Sequence, residues 1–146
     1  MANEVRVQSS LTIKGGNAGN LSYQSQPTSY NGNISAGDGP TPGVVTASQS
    51  GTVVNISAVG TPGYCRMMNL DASNNVEVGV YDPDTNEFYP LLEFPPGLSL
   101  VLYLSQFLGS EFGTAGTGTG TSGSGVQLMV KGVGGTCLFI VEAFTR

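Results

Sequence analysis

The sequence has 146 residues, five basic and ten acidic side chains, no histidine and a formal net charge of −5. A phosphate backbone is held by clustered cations, and no lysine or arginine occurs between Arg66 and Lys131, so the composition argues against nucleic acid as a partner. The absence of histidine removes the commonest general base near neutral pH, the commonest metal ligand and every Ser-His or Cys-His nucleophile pair.

The chain is also poor in charge. Only 10% of its residues are charged, against about 25% in an average soluble domain, and 22 are glycine. A surface with few charges costs little desolvation when it is covered, which suits a protein buried in an assembly. The N-terminal residues have no signal-peptide pattern and no run is long enough to span a membrane, so we expect synthesis in a reducing cytoplasm and no membrane partner.

The two cysteines, Cys65 and Cys137, both lie inside apolar runs. A free thiol in such a run behaves as a small hydrophobe, and two cysteines do not make the disulfide framework of a small secreted domain. The sequence therefore predicts two buried free thiols, with a disulfide or a reactive thiol as the alternative.

The N-terminal part, residues 1–42, is predicted to be a strand followed by an extended arm. Residues 4–14 alternate between apolar and polar side chains, as a half-buried strand does, with Val5 and Val7 on the apolar side. Residues 15–43 contain little that could form a core, yet they carry the isolated large side chains Tyr23, Tyr30 and Ile34. We expect these five side chains to bind a partner, although a long solvated loop is the alternative reading of the arm.

Residues 43–146 are predicted to form a β-sandwich domain. Residues 44–47 and 52–57 read as a hairpin, residues 64–105 as a meander of antiparallel strands with a hairpin tip at 82–86, and residues 126–131 and 136–144 as a last hairpin. The Gly, Thr and Ser residues of 113–125 predict a flexible loop. Turn signals at this spacing are typical of an all-β, antiparallel sandwich or barrel, and eight strands with a preceding edge strand fit a jelly roll, although other sandwich topologies stay open.

The last run, CLFIVEAF, has apolar residues on both faces. A strand of this kind is covered on two sides, by a second sheet or by another subunit.

Three kinds of chemical site are compatible with some of the residue spacings: a calcium loop, a pair of catalytic carboxylates and a sugar-binding surface. The oxygen-bearing residues Asp82, Asp84, Asn86 and Glu93 match the spacing of a calcium loop, but Glu87 stands where a glycine is needed and a hairpin tip explains the turn more simply. A pair among Asp71, Glu77, Asp82, Asp84 and Glu87 could serve glycoside hydrolysis, and Tyr64, Tyr81, Tyr89 and Tyr103 could stack on sugar rings. The sequence predicts no catalytic residue, no cofactor and no metal ligand.

A resemblance adds to this reading. The segment GPTPG at residues 39–43, the element PGxCRxxNLD at residues 62–71, and then VEVGVYDP and FYPLLEFPPG resemble a group of small, jelly-roll-like virion proteins of tailed bacteriophages. The resemblance implies a non-enzymatic capsid decoration or cement protein that binds the outer surface of the major capsid shell, located on the virion and associated with itself as a trimer. A tail, adaptor or fibre component and a carbohydrate-binding host-attachment module are the alternatives.

Overall fold

The computed structural model describes residues 5–14, 22–32, 39–59, 61–104 and 127–145. These residues form twelve strands and one turn of 3-10 helix at Ser57–Val59. The strands are β1 (Val5–Ser9), β2 (Thr12–Ile13), β3 (Tyr23–Gln24), β4 (Thr28–Gly32), β5 (Thr41–Ala47), β6 (Thr52–Val53), β7 (Pro62–Asn69), β8 (Asn75–Asp82), β9 (Glu87–Phe94), β10 (Ser99–Tyr103), β11 (Gln127–Val133) and β12 (Cys137–Thr145).

The chain divides into two compact units between residues 34 and 35. In the first unit β1 pairs with β4 and β2 pairs with β3, and both pairs are antiparallel. We call these two strand pairs, residues 5–14 and 22–32, the ribbon. The predicted boundary lies later, at residue 42. Strand β5 nevertheless begins at Thr41, so residues 41–42 already pair in a sheet of the second unit.

The second unit is an all-β sandwich of two packed antiparallel sheets. The front sheet has the order β10-β7-β12-β5 and the back sheet the order β6-β11-β8-β9. Both sheets contribute to one core, in which Phe94 of the back sheet and Phe139 of the front sheet meet edge to face with their ring centroids 5.1 Å apart. The predicted fold class, an antiparallel β-sandwich, is confirmed.

The strand pairing has a simple pattern. Of the eight strands described in this unit, the first pairs with the last, β5 with β12, and the others follow inward as β6 with β11, β7 with β10 and β8 with β9. The central contacts of β12 with β7 and of β11 with β8 then complete the two sheets. The described strands therefore fold as one long hairpin that is rolled up, with the tip between β8 and β9 in the back sheet and every other step between consecutive strands leading from one sheet to the other.

This pattern corrects three predictions of local pairing. The stretch 64–105 is not a meander, because only β8 and β9 form a hairpin within it, while β7 and β10 belong to the other sheet. The predicted hairpins of 44–47 with 52–57 and of 126–131 with 136–144 do not form, because in each case the two strands lie in different sheets. Turn signals mark where the chain reverses, but they do not distinguish a reversal within a sheet from a step between sheets.

Strand β7 shows why these residues form a sheet against a core. Cys65, Met67 and Asn69 alternate along the strand and are at most 1% exposed, as the period-2 pattern predicts. Buried Asn69 donates from its side-chain nitrogen to the carbonyl oxygens of Asn74 and Phe94, each at 2.8 Å, and its side-chain oxygen accepts the backbone N–H of Asp71 at 2.9 Å. It thereby joins the end of β9 to the turn that leads into β8.

Candidate interaction surfaces

The ribbon exposes the aromatic side chains that the sequence analysis selects. Tyr23 is 50% exposed and Tyr30 59% exposed, while Val5 and Val7 are half-buried. Val7 lies directly opposite Tyr30 in the pairing of β1 with β4, so the two side chains share one face of the ribbon. Ile34, the fifth predicted partner-binding residue, lies outside the described residues.

The strand pairing of the ribbon is irregular between Tyr23 and Tyr30. Ser9 pairs with Thr28 and Thr12 pairs with Gln24, so three residues of one strand oppose two of the other between these pairs. The backbone N–H of Ser25 bonds to the carbonyl of Leu11 at 2.8 Å, and the N–H of Leu11 bonds back to the Ser25 hydroxyl. The extra residue shifts the side-chain alternation by one between Tyr23 and Tyr30, as a β-bulge does.

No described residue of the ribbon is buried. An isolated two-stranded hairpin is at best marginally stable in water, because it has no core of its own. Exposed tyrosines are suited to interfaces, since they add large contact area at low entropic cost and keep a polar hydroxyl. Because the ribbon buries so little of its own surface, binding to another protein surface would stabilise it.

A second surface was not predicted as a site. It is the outward side of the front sheet, which we call the apolar face. Its residues are Pro42, Val44 and Thr46 of β5, Tyr64, Arg66 and Met68 of β7, Ser99, Val101 and Tyr103 of β10, and Leu138, Ile140, Glu142 and Phe144 of β12. Val44 is 61% exposed, Tyr103 56%, Leu138 53% and Val101 46%.

The centre of the apolar face holds one ion pair. Arg66 donates to Glu142 at 2.8 Å, and the side chains are 39% and 30% exposed. A second guanidinium nitrogen of Arg66 lies 3.2 Å from the Met68 sulfur. These are the one positive and the one negative side chain of the face, so the face is apolar with a neutral, paired centre.

The outward side of the back sheet is different in character. Glu77, Glu93, Lys131 and Gln127 project from its strands, and Glu93 accepts a hydrogen bond from Asn75 at 2.5 Å. This side therefore mixes three charged side chains with apolar ones, among them Val53 and Val133, which are 43% and 42% exposed. The signal that could have found the apolar face from the sequence was the two-sided apolar run of residues 137–144, of which the sandwich core covers only one side.

The acidic turn is a hairpin tip, as predicted, between β8 and β9. Asp82 accepts the backbone N–H of Asp84 at 2.9 Å, and Asn86 adopts the left-handed conformation with φ of 58° and accepts the Tyr81 hydroxyl. Glu93 lies at the far end of β9, opposite Glu77, and so does not join the turn. Among the described residues, no three His, Cys, Asp or Glu side chains are grouped as a metal site would require.

The other acids and tyrosines weighed above are spread over the sandwich. Asp71 caps its own turn by accepting the backbone N–H groups of Ser73 and Asn74, and these bonds lower the pKa of its carboxyl. Tyr64 is only 6% exposed and packs edge to face on Tyr103, with their ring centroids 4.9 Å apart. Tyr89 is exposed on β9 and bonds to Glu87, which raises the pKa of the Tyr89 phenol.

Both thiols are free and buried, as predicted. Burial, assisted by the nearby Glu142 carboxylate, raises the pKa of Cys65 to about 12. Burial also raises the pKa of Cys137, with a smaller contribution from Asp71. Since the thiolate is the reactive form, neither sulfur is suited to nucleophilic chemistry at neutral pH.

No helix in the part of the chain that the structure describes is long and apolar enough to cross a membrane. The sequence matches no family model, and neither the curated proteins nor the solved structures gave a significant match.

Proposed function

We propose that this protein is a non-enzymatic structural protein of a phage virion, a capsid decoration protein that binds the outer surface of the major capsid shell. The observation that carries the proposal is the ribbon, which exposes Tyr23 and Tyr30 and buries none of its described residues. Such a segment is completed by a partner, and a capsid surface offers one in many copies.

The sandwich serves in this proposal as the rigid frame that presents the ribbon. We propose that its topology is a jelly roll, and the pairing of the first strand with the eighth, the second with the seventh and so on inward supports this. The low charge of the chain supports an assembled state, because less desolvation opposes the covering of its surface. Self-association, as the trimer that the resemblance implies, would bring several ribbons to one site and raise their avidity for a repetitive shell.

The experiment is cosedimentation of the purified full chain with expanded heads of the phage that encodes it. We expect saturable binding, and we expect the double variant Tyr23→Ser with Tyr30→Ser to weaken it by about 100-fold, because two aromatic anchors are lost. Tyr89→Ser is the matched control, since Tyr89 is equally exposed but lies on the sandwich.

Two results would contradict the proposal. One is a full chain that does not sediment with heads at micromolar concentration. The other is an equal loss of binding in the ribbon variant and in Tyr89→Ser, which would remove the ribbon from the contact.

A further inference from the structure

We propose that the apolar face is an interface between two copies of this chain, related by a two-fold axis that passes near the Arg66–Glu142 pair. The inference adds an interface to the proposed function and does not depend on a capsid. It follows from the composition of strand β12, from the charges of the face and from its size.

Strand β12 shows that the described residues leave the face incompletely covered. Its inward residues Phe139 and Val141 are fully buried, as a central strand of a sandwich requires. Its outward residues Leu138 and Ile140 are also large and apolar, and Leu138 is 53% exposed. A central strand that is apolar on both sides is normally covered on both sides.

The neighbouring strands continue the same surface. Ile140 lies opposite Val44 on one side and opposite Met68 on the other, so three apolar side chains cross the sheet in one row. In the next row Arg66 and Glu142 stand side by side between Val101 and Pro42. The apolar side chains therefore surround the ion pair instead of being scattered over the sheet.

The charges identify a second copy as the occupant. A two-fold interface brings the same patch of both subunits together, so it must be complementary to itself. With one cation and one anion side by side, rotation about an axis between them places Arg66 of each copy against Glu142 of the other. A partner of different sequence would need its own opposite pair in the same register, whereas a second copy supplies one by symmetry.

The size of the face agrees with a specific contact. Four strands about 4.8 Å apart, over the seven residues from 138 to 144 at about 3.3 Å each, span about 19 by 23 Å. Because protruding side chains have more accessible surface than this projection, the area approaches the roughly 800 Å² per partner of a standard interface. Two sheets that pack through such faces lie about 10 Å apart, as in any sandwich.

The first test compares two leucine variants of the full chain by sedimentation equilibrium. We expect the native protein to form a dimer, or a hexamer if the trimer of the proposed function also forms. Leu138→Lys should raise the dissociation constant by about 100-fold, because it places an unpaired charge among the apolar side chains of the contact. Leu91→Lys, at a leucine that is 69% exposed on the back sheet, should change it by less than about threefold.

The second test is a charge exchange that does not rely on either leucine variant. Arg66→Glu and Glu142→Arg should each prevent self-association, because like charges then face each other across the axis. When the two variants are mixed, each altered residue meets its opposite in the other copy, and a heterodimer should form. Native mass spectrometry distinguishes the heterodimer by its mass.

The inference is wrong if the native chain is monomeric at 100 µM, a concentration about 100 times a micromolar dissociation constant, or if it forms only odd-numbered oligomers. It is also wrong if the two leucine variants weaken association equally, or if the mixture of charge variants stays monomeric. Head binding is measured separately, so loss of the proposed function with retention of the dimer, or the reverse, is directly visible.

Discussion

At the scale of single residues, burial controls the chemistry of the thiols. The Cys65 sulfur lies in the core and close to the Glu142 carboxylate, and both its burial and this negative charge disfavour the thiolate. The Cys65 thiol, for which a reactive role is the alternative prediction, is thus held in its neutral form.

This environment predicts how stability depends on pH in the alkaline range. The unfolded thiol ionises near its ordinary pKa of 9.0, whereas the folded thiol has a pKa of about 12. Below pH 9 both states are protonated and the contribution of Cys65 to stability is fully present; above pH 9 the unfolded state alone loses its proton. The free energy of unfolding should therefore fall, by up to about 1.4 kcal/mol per pH unit from this group, until the folded pKa is reached.

Urea unfolding of the native chain and of Cys65→Ala between pH 8 and pH 11 measures this effect, a range that brackets the unfolded pKa of 9.0. The native chain should be the more stable at pH 8, because the alanine leaves a small cavity, and its advantage should shrink as the pH rises. A difference between the two proteins that stays constant with pH would contradict the prediction.

Residue identity also decides how well the sequence predicts the fold. The alternation along β7 predicts a strand with one side in the core, and the structure shows that Cys65, Met67 and Asn69 form that side. It does not reveal that Asn69 connects three segments by hydrogen bonds, because its partners Asn74, Phe94 and Asp71 come together only when the sheets have formed. A polar residue on the buried side of a strand pattern is the signal that points to such a junction.

At the scale of elements, strands β8 and β9 form the one hairpin in the described part of the sandwich, and they approach each other closely. Their register shifts between Val78 and Gly79, so that Leu91 is the extra residue of a bulge on β9. A Cβ atom at Gly79 would overlap the backbone carbonyl of Tyr89 and the Cα of Pro90. The bulge and Pro90 also interrupt the outer edge of β9, which limits pairing with other chains.

Gly79→Ala should destabilise the sandwich by about 2 to 4 kcal/mol, because the clash is with backbone atoms that cannot rotate away. Glu77→Ala, which changes an outward side chain of the same strand, should cost less than about 1 kcal/mol. Chemical denaturation gives both values. Equal stability of Gly79→Ala and the native chain would mean that the approach of the two strands is looser than the structure places it.

Local patterns predict the elements of this fold better than their pairing. Period-2 alternation finds most of the sandwich strands, since each has one side in the core. The turn signals predict hairpins between consecutive strands, whereas β5 and β6 lie in different sheets, as do β11 and β12. Pairing between β5 and β12 depends on contacts across about ninety residues, and no local pattern carries that information.

At the scale of the whole molecule, the two units differ in how much they bury. The sandwich has a continuous core, whereas no described residue of the ribbon is buried. Local stability follows the number of buried contacts, so the units should open with different free energies.

Hydrogen exchange followed by mass spectrometry checks this difference. We expect the amides of β1 and β4 to exchange at least about 100-fold faster than those of the central strands β7 and β12. Addition of expanded heads should slow exchange in the ribbon if the proposed function is correct. Equal protection of the ribbon and the central strands in the isolated protein would contradict the prediction.

The rolled hairpin also has a consequence for biosynthesis. Strand β12 is made last among the described strands, yet it lies between β5 and β7 and pairs with both. While a ribosome is still extending the chain towards residue 145, the front sheet lacks its centre and β5 has no neighbour to pair with. A high contact order of this kind gives slow folding that waits for β12 to be made. Chains without β12 consequently cannot form the front sheet, and with it the apolar face, so an interface through that face would form only after β12 has paired.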